Sequence, residues 1–194
     1  YDLTLITIAT VTKKTVALTA KLFLTLFLLS LAIACTKKEK KILVFSKTEG
    51  YRHTSIEAGI EALKKLGAEN GFKVTATEDA RYFEEDSLKQ YAAVVFLSTS
   101  GDILDDLQQA DLERFIQAGG GFVGIHEAVT SESDWPWYNK LVGAHFDGHA
   151  KVQEATLNII DKNHPSTSSL EPIWVKTDEW YNFKDIDPDI KVVI

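Results

Sequence analysis

The feature that most constrains this chain is an alternation. Short apolar runs rich in β-branched residues trade places with segments of helical period. Ile42-Leu43-Val44-Phe45 reads as a buried strand. From Ser55 to Asn70, apolar residues at Ile56, Ile60, Leu63 and Leu66 recur with the spacing of one helix face. Thr54 or Ser55 can cap that helix, and Gly71 follows its end. Phe72–Thr77 alternates like a second strand, Glu84–Gln90 reads as a short acidic helix, and Tyr91–Leu97 as a third strand. A helix over Leu104–Ala118 and a strand over Phe122–Ile125 complete the series. Strands that alternate with helices form a parallel sheet covered on both faces. The expected fold is therefore α/β, a flavodoxin-like three-layer sandwich with a mostly parallel sheet.

Beyond residue 126 the pattern loosens. Trp135–Val142 reads as helical, and Lys151–Ile160, Ile173–Thr177 and Ile190–Ile194 as later strands. The chain begins at Tyr1 rather than Met and stops on an apolar run, as a fragment would.

The first third has another character. Leu22 to Ala34 carries no charge, Gly or Pro; Lys13, Lys14 and Lys21 precede it. Thirteen residues are too few to cross about 30 Å of hydrocarbon as a helix, so the segment reads as a secretory signal. Leu31-Ala32-Ile33-Ala34-Cys35 resembles a bacterial lipobox, although its Leu stands one position early. The division expected is a signal and lipobox over 1–35, a polar tether over 36–40 and a domain over 41–194, cut short at its C-terminus. Cys35 would carry the lipid, placing the protein in the bacterial cell envelope, exported and membrane-anchored. The alternative is a plain signal with an incidental cysteine.

Composition excludes some classes. A lone cysteine cannot form an internal disulfide. With 28 acidic against 21 basic residues, the net charge of −7 argues against nucleic acid as a partner. Hydrophobic content of 45% is that of a folded chain.

In an open parallel sheet, ligands bind beyond the carboxyl ends of the strands. Those ends carry Ser46–His53 after the first strand, Ser98–Asp102 after the third and His126-Glu127-Ala128 after the fourth. The run GGGFVGIHEA resembles a strand-to-helix elbow that presents one side chain, here His126 between Gly124 and Ala128. With no cysteine in the domain, a thiol mechanism is excluded. A histidine there suits a general base or a metal ligand, or is satisfied by backbone hydrogen bonds. His145 and His149 stand four apart, which on a helix would face a zinc ion together; Gly143 and Gly148 argue instead for a loop. His164-Pro165 reads as a structural turn. Asp178-Glu179 either completes a His/carboxylate set or forms a solvated acidic turn. Trp135, Trp137 and Tyr138 either stack on a sugar or belong to the core. The helix beginning near Thr54 could direct its N-terminus at an anion.

In order, KILVFSKTEGYRH, GGGFVGIHEA, WPWYNKLVGAHFDGH, NHPSTSSL and TDEWYNF resemble the trehalose-utilisation (ThuA-like) family, from about Lys41 to the end. The resemblance implies a class I glutamine-amidotransferase-like fold. It also implies a role in carbohydrate metabolism, on disaccharides such as trehalose or on 3-keto-glycosides. The amidotransferase Cys-His-Glu triad is not carried over. The family's polar pocket falls on His53, His126, His149 and Glu179, with Tyr181 nearby, and a divalent metal, zinc, accompanies it. The expected roles are catalysis by His126, Glu179 and His53, substrate binding by Arg52, Trp135 and Tyr181, and metal binding by His126, His149 and Glu179. Two other readings stay open: a carbohydrate-binding domain without turnover, and an accessory module of a larger lipoprotein.

Overall fold

The structure, a computed structural model, describes residues 39–194. The chain divides at Glu39/Lys40, and Lys40–Ile194 is a compact unit. The signal, Cys35 and the tether up to residue 38 lie outside the described residues; Lys40, assigned to the tether, opens the first strand.

Four parallel strands form the main sheet: β1 (Lys40–Phe45), β2 (Phe72–Thr77), β3 (Ala93–Leu97) and β4 (Gly121–Ile125), in the order β2-β1-β3-β4. The parallel α/β fold expected from the alternation is observed. Strand order reverses between β1 and β3, which opens a crevice at their carboxyl ends. Across that crevice Thr48 bridges Ser100, and Glu49 N donates to Ser100 O at 2.8 Å.

The pleat sends alternate residues to opposite faces. Leu43, Phe45, Val94 and Phe96 face one side with Phe83, Leu88, Leu112 and Tyr138; Val44, Val95 and Leu97 face the other with Ile56. The first face is aromatic: Phe45 meets Phe83 at 4.6 Å and Phe96 at 5.5 Å, and Phe96 meets Phe122 at 5.3 Å. It is covered by α2 (Glu85–Leu88), α3 (Asp106–Gln117) and α4 (Pro136–Val142). The second face is covered by α1 (Ile56–Asn70).

Local signals set these helices. Asp105 caps α3, accepting from Leu107 N and Gln108 N, while Gln108 reaches back to Asp105 N. Gly71 ends α1 at φ +72°. Ser55 stands at the N-cap of α1 but makes no capping bond, because its backbone is already helical. Glu57 fills the first turn and pairs with Arg52, so the anion expected at this N-terminus meets a carboxylate instead.

Two antiparallel ribbons follow: β5 (His145–His149) with β8 (Tyr181–Lys184), and β6 (Gln153–Asn158) with β7 (Ile173–Asp178). The loop expected at 145–149 is therefore a strand. Gly148, at φ +90°, breaks its register as a bulge rather than ending it. The strand expected at 190–194 is not formed. Its Val193 carbonyl accepts from Ile160 N and Asp161 N, and Ile190 N donates back to Asp187 O, contacts that do not make a ladder. Among the described residues, no helix is long and apolar enough to cross a membrane.

Candidate functional site

At the end of β4 the chain turns sharply into a 3₁₀ turn over His126–Thr130. His126 itself takes φ +54°, a left-handed conformation that a side-chain-bearing residue rarely adopts. That is the expected elbow, with an imidazole at its tip. Tyr138 anchors the turn from beneath, its buried hydroxyl donating to Ala128 O at 2.7 Å. A second brace is Glu132, a buried carboxylate also at positive φ, which accepts from Ile103 N and Leu104 N and ties the loop after β3 to the loop after the elbow.

The His126 ring stands between two groups. On one side is His53, from the loop after β1, with ring centroids 4.4 Å apart. His53 Nε2 lies 2.8 Å from Glu127 Oε2. Among the described residues this buried oxygen has no hydrogen-bond partner. Tyr51 lies edge-on to His53 at 4.8 Å. On the other side the ribbons deliver Tyr181, stacked on His126 at 4.9 Å, and Glu179. Nε2 of His126 is 3.3 Å from the Tyr181 hydroxyl and 3.5 Å from Glu179 Oε2. The other Glu179 oxygen is 3.3 Å from His149 Nδ1. His149 Nδ1 also faces the Ala150 carbonyl at 2.9 Å; a carbonyl only accepts, so this nitrogen carries the proton. Phe146 packs edge-on to Tyr181 at 4.6 Å.

Electrostatics assign protonation states. Burial, and then the neighbouring His53, hold the His126 pKa below its ordinary value despite the opposing carboxylates. His126 is therefore neutral near pH 7 and offers a lone pair. Burial and the Glu179 charge push the Tyr181 hydroxyl up, so it stays protonated and can donate to His126 Nε2. The site thus pairs a neutral base with a protonated donor, flanked by two carboxylates.

Of the residues expected from sequence, His53, His126, His149, Glu179 and Tyr181 are brought together. Arg52 and Trp135 are not. Arg52 is engaged by Glu57 and Glu78 at 2.7 and 2.6 Å. Trp135 stacks on Trp137 at 5.0 Å and packs with it and Tyr138 against the aromatic core, so the core reading of these rings is the one observed. Trp135 lines a separate acidic hollow beside Asp102, Asp105, Glu132 and Asp134. His164 lies in its turn, with Nδ1 2.7 Å from Ser166 Oγ. Sequence reasoning did not nominate Glu127. Its place beside an elbow residue was the available signal, since a turn that tight projects neighbouring side chains into one volume. Among the described residues, no group of three or more His, Cys, Asp or Glu is arranged to hold a metal ion. His126, His149 and Glu179 have the donor types of a zinc site, but as placed the Glu179 carboxylate faces both imidazoles directly, at 3.5 and 3.3 Å.

No curated protein matches the chain. Two solved structures share its fold. A ThuA-like protein from Bacteroides uniformis aligns at 24% identity and TM-score 0.70, over 82% of this chain and 68% of its own. A second, from Parabacteroides merdae, aligns at 22% identity and TM-score 0.62, over 75% of this chain and 63% of its own. The family model described as trehalose utilisation matches residues 41–194. By that match, which spans the whole described sheet and both ribbons, the chain belongs to the ThuA family and has a carbohydrate-related role.

Proposed function

We propose that the domain is a sugar-processing enzyme that breaks a bond in a disaccharide or a 3-keto-glycoside by acid–base catalysis. The observation that carries this reading is the placement of neutral His126 at a strained elbow, between the His53–Glu127 pair and the Tyr181–Glu179 pair. In a 3-keto-glycoside the keto group acidifies C2, and His126 Nε2 takes its proton; the freed electron pair forms a C1–C2 double bond as the C1–O bond breaks. Tyr181 or His53 gives a proton to the departing oxygen, and Glu127 and Glu179 stabilise the imidazolium that forms. In a disaccharide without a keto group, His126 takes the proton from a water that attacks C1 as the C1–O bond breaks. The aromatic pair Trp135–Trp137, which binding without turnover would use as a shelf, instead stands against the core.

The alternative for the same residues is a divalent cation, zinc, proposed on the family's chemistry. His126, Glu179 and His149 would then hold it in place of the proton transfers, the last after its ring leaves the Ala150 carbonyl, and it would polarise a keto oxygen. Lipid attachment at Cys35, and with it an exported, envelope-anchored protein, is proposed from the lipobox-like run Leu31–Cys35. Cys35→Ser should then remove incorporation of labelled fatty acid.

The deciding experiment compares the wild type and His126→Ala on trehalose and 3-keto-glycosides, with elemental analysis of both proteins. The expected result is a loss of turnover of about 10²–10⁴-fold with the fold retained. Unchanged turnover and unchanged metal content in the variant would overturn the mechanism.

A further inference from the structure

Behind the elbow lies a second cavity, of about 400 Å³, which none of the roles assigned above uses. Phe122, Val129, Leu141, Phe183, Ile186 and Ile190 wall it with carbon. Among its lining residues His126 alone has a titratable side chain. The imidazole of that residue faces the polar cluster formed by His53, Glu179 and Tyr181. One residue therefore stands between a polar half-site and an apolar one.

We infer that the cavity behind His126 is an aglycone subsite, and that the preferred substrate is a glycoside bearing an apolar aromatic group rather than a second sugar. The inference rests on the acid–base reading of His126 and adds the substrate class. A second sugar would bring hydroxyl groups that the carbon side chains along most of this wall cannot pair, and a hydroxyl held there without a partner disfavours binding. An aromatic ring loses nothing there. Cavities of about 150 Å³ with similar walls admit benzene, so this one has room for a ring and its substituents. The sugar would occupy the polar side, where Tyr181, Glu179 and His149 supply donors and acceptors. The scissile bond would then lie at His126, where the two halves meet. The cavity wall at Ile186 and Ile190 is half open, so the group can enter without rearrangement of the sheet.

Paired substrates test this. Benzyl and methyl 3-keto-β-glucopyranosides share the sugar, release alcohols of nearly equal acidity and differ in the group aimed at the cavity. The wild type should favour the benzyl compound by at least about tenfold in kcat/KM. Ile186→Asn, which puts an amide on the open wall, should bring the two values to within about twofold. Equal turnover of both compounds by the wild type overturns the subsite and leaves the acid–base reading standing. A benzyl preference that survives Ile186→Asn also overturns it. No turnover of either compound by folded protein overturns both.

Discussion

The two halves of the described molecule are built on different terms. In the parallel sheet, Leu43, Val44, Phe45, Val94 and Phe96 are wholly buried. In the ribbons, Ile173, Trp174 and Val175 succeed one another along β7 and all three are exposed. Yet the candidate site draws on both. The sheet supplies His53, His126 and Glu127 from loops at its carboxyl edge. The ribbons supply His149, Glu179 and Tyr181. The difference teaches that rigidity and reach are divided here: the packed half fixes the base, and the thinly packed half brings the groups that act with it.

That division can be attacked at several strengths. The largest effect is expected in the sheet. Phe96→Ala removes a ring that touches Phe45, Phe83, Phe122 and Tyr138, and should lower stability by about 3–5 kcal/mol in denaturant titration. A cost below about 1 kcal/mol would show that the aromatic face does not carry the fold. Next comes Glu179→Gln, which keeps the shape of a ribbon side chain while removing its charge. Turnover should drop about a hundredfold, with stability held within about 0.5 kcal/mol. Equal losses in both would mean that the ribbon group is structural. The pH profile sharpens the role of His126. Its pKa lies below the ordinary 6.5, and it works as a base when neutral, so turnover rises with pH through that lowered value. The acidic limb should therefore have its midpoint below pH 6.5, and a midpoint above it would assign the base elsewhere. The smallest effect belongs to Trp174→Ala, at 40% exposure on β7, which should cost less than about 1 kcal/mol.

How much of this was legible in the sequence follows the same line. The sheet was readable because its central strands, β1 and β3, are largely buried on both faces and so appear as unbroken apolar runs, while β2 showed itself by alternation. Its helices declared themselves by period and by ends such as Gly71. His126 was readable from the small residues that flank it. The ribbons were harder. Their strands are half exposed and short, and Tyr181–Lys184 has no apolar run to mark it. Gly148 pointed to a loop because a glycine at positive φ serves turns and bulges alike, and only the pairing partner distinguishes them. The terminal apolar run at 190–194 suggested a strand, but hydrophobicity alone does not supply a neighbour to pair with. The ion pair of Arg52 with Glu78 carried no signal, because the two lie far apart along the chain. Glu132 carried no signal, since an isolated glutamate in a loop reads as solvated until the amides of Ile103 and Leu104 are seen to converge on it.

The bulge at Gly148 has a further consequence. A regular strand has parity: residues an odd number apart face opposite ways, so Phe146 and His149 would be separated by the plane of the ribbon. The register shift between them cancels that parity, and both rings face Tyr181, at 4.6 and 5.8 Å. The site therefore depends on a count of residues as well as on their kinds. A strand that kept all these residues but lost the bulge would retain each named side chain and turn His149 to the wrong side, as a slipped reading frame leaves the letters intact and loses the word.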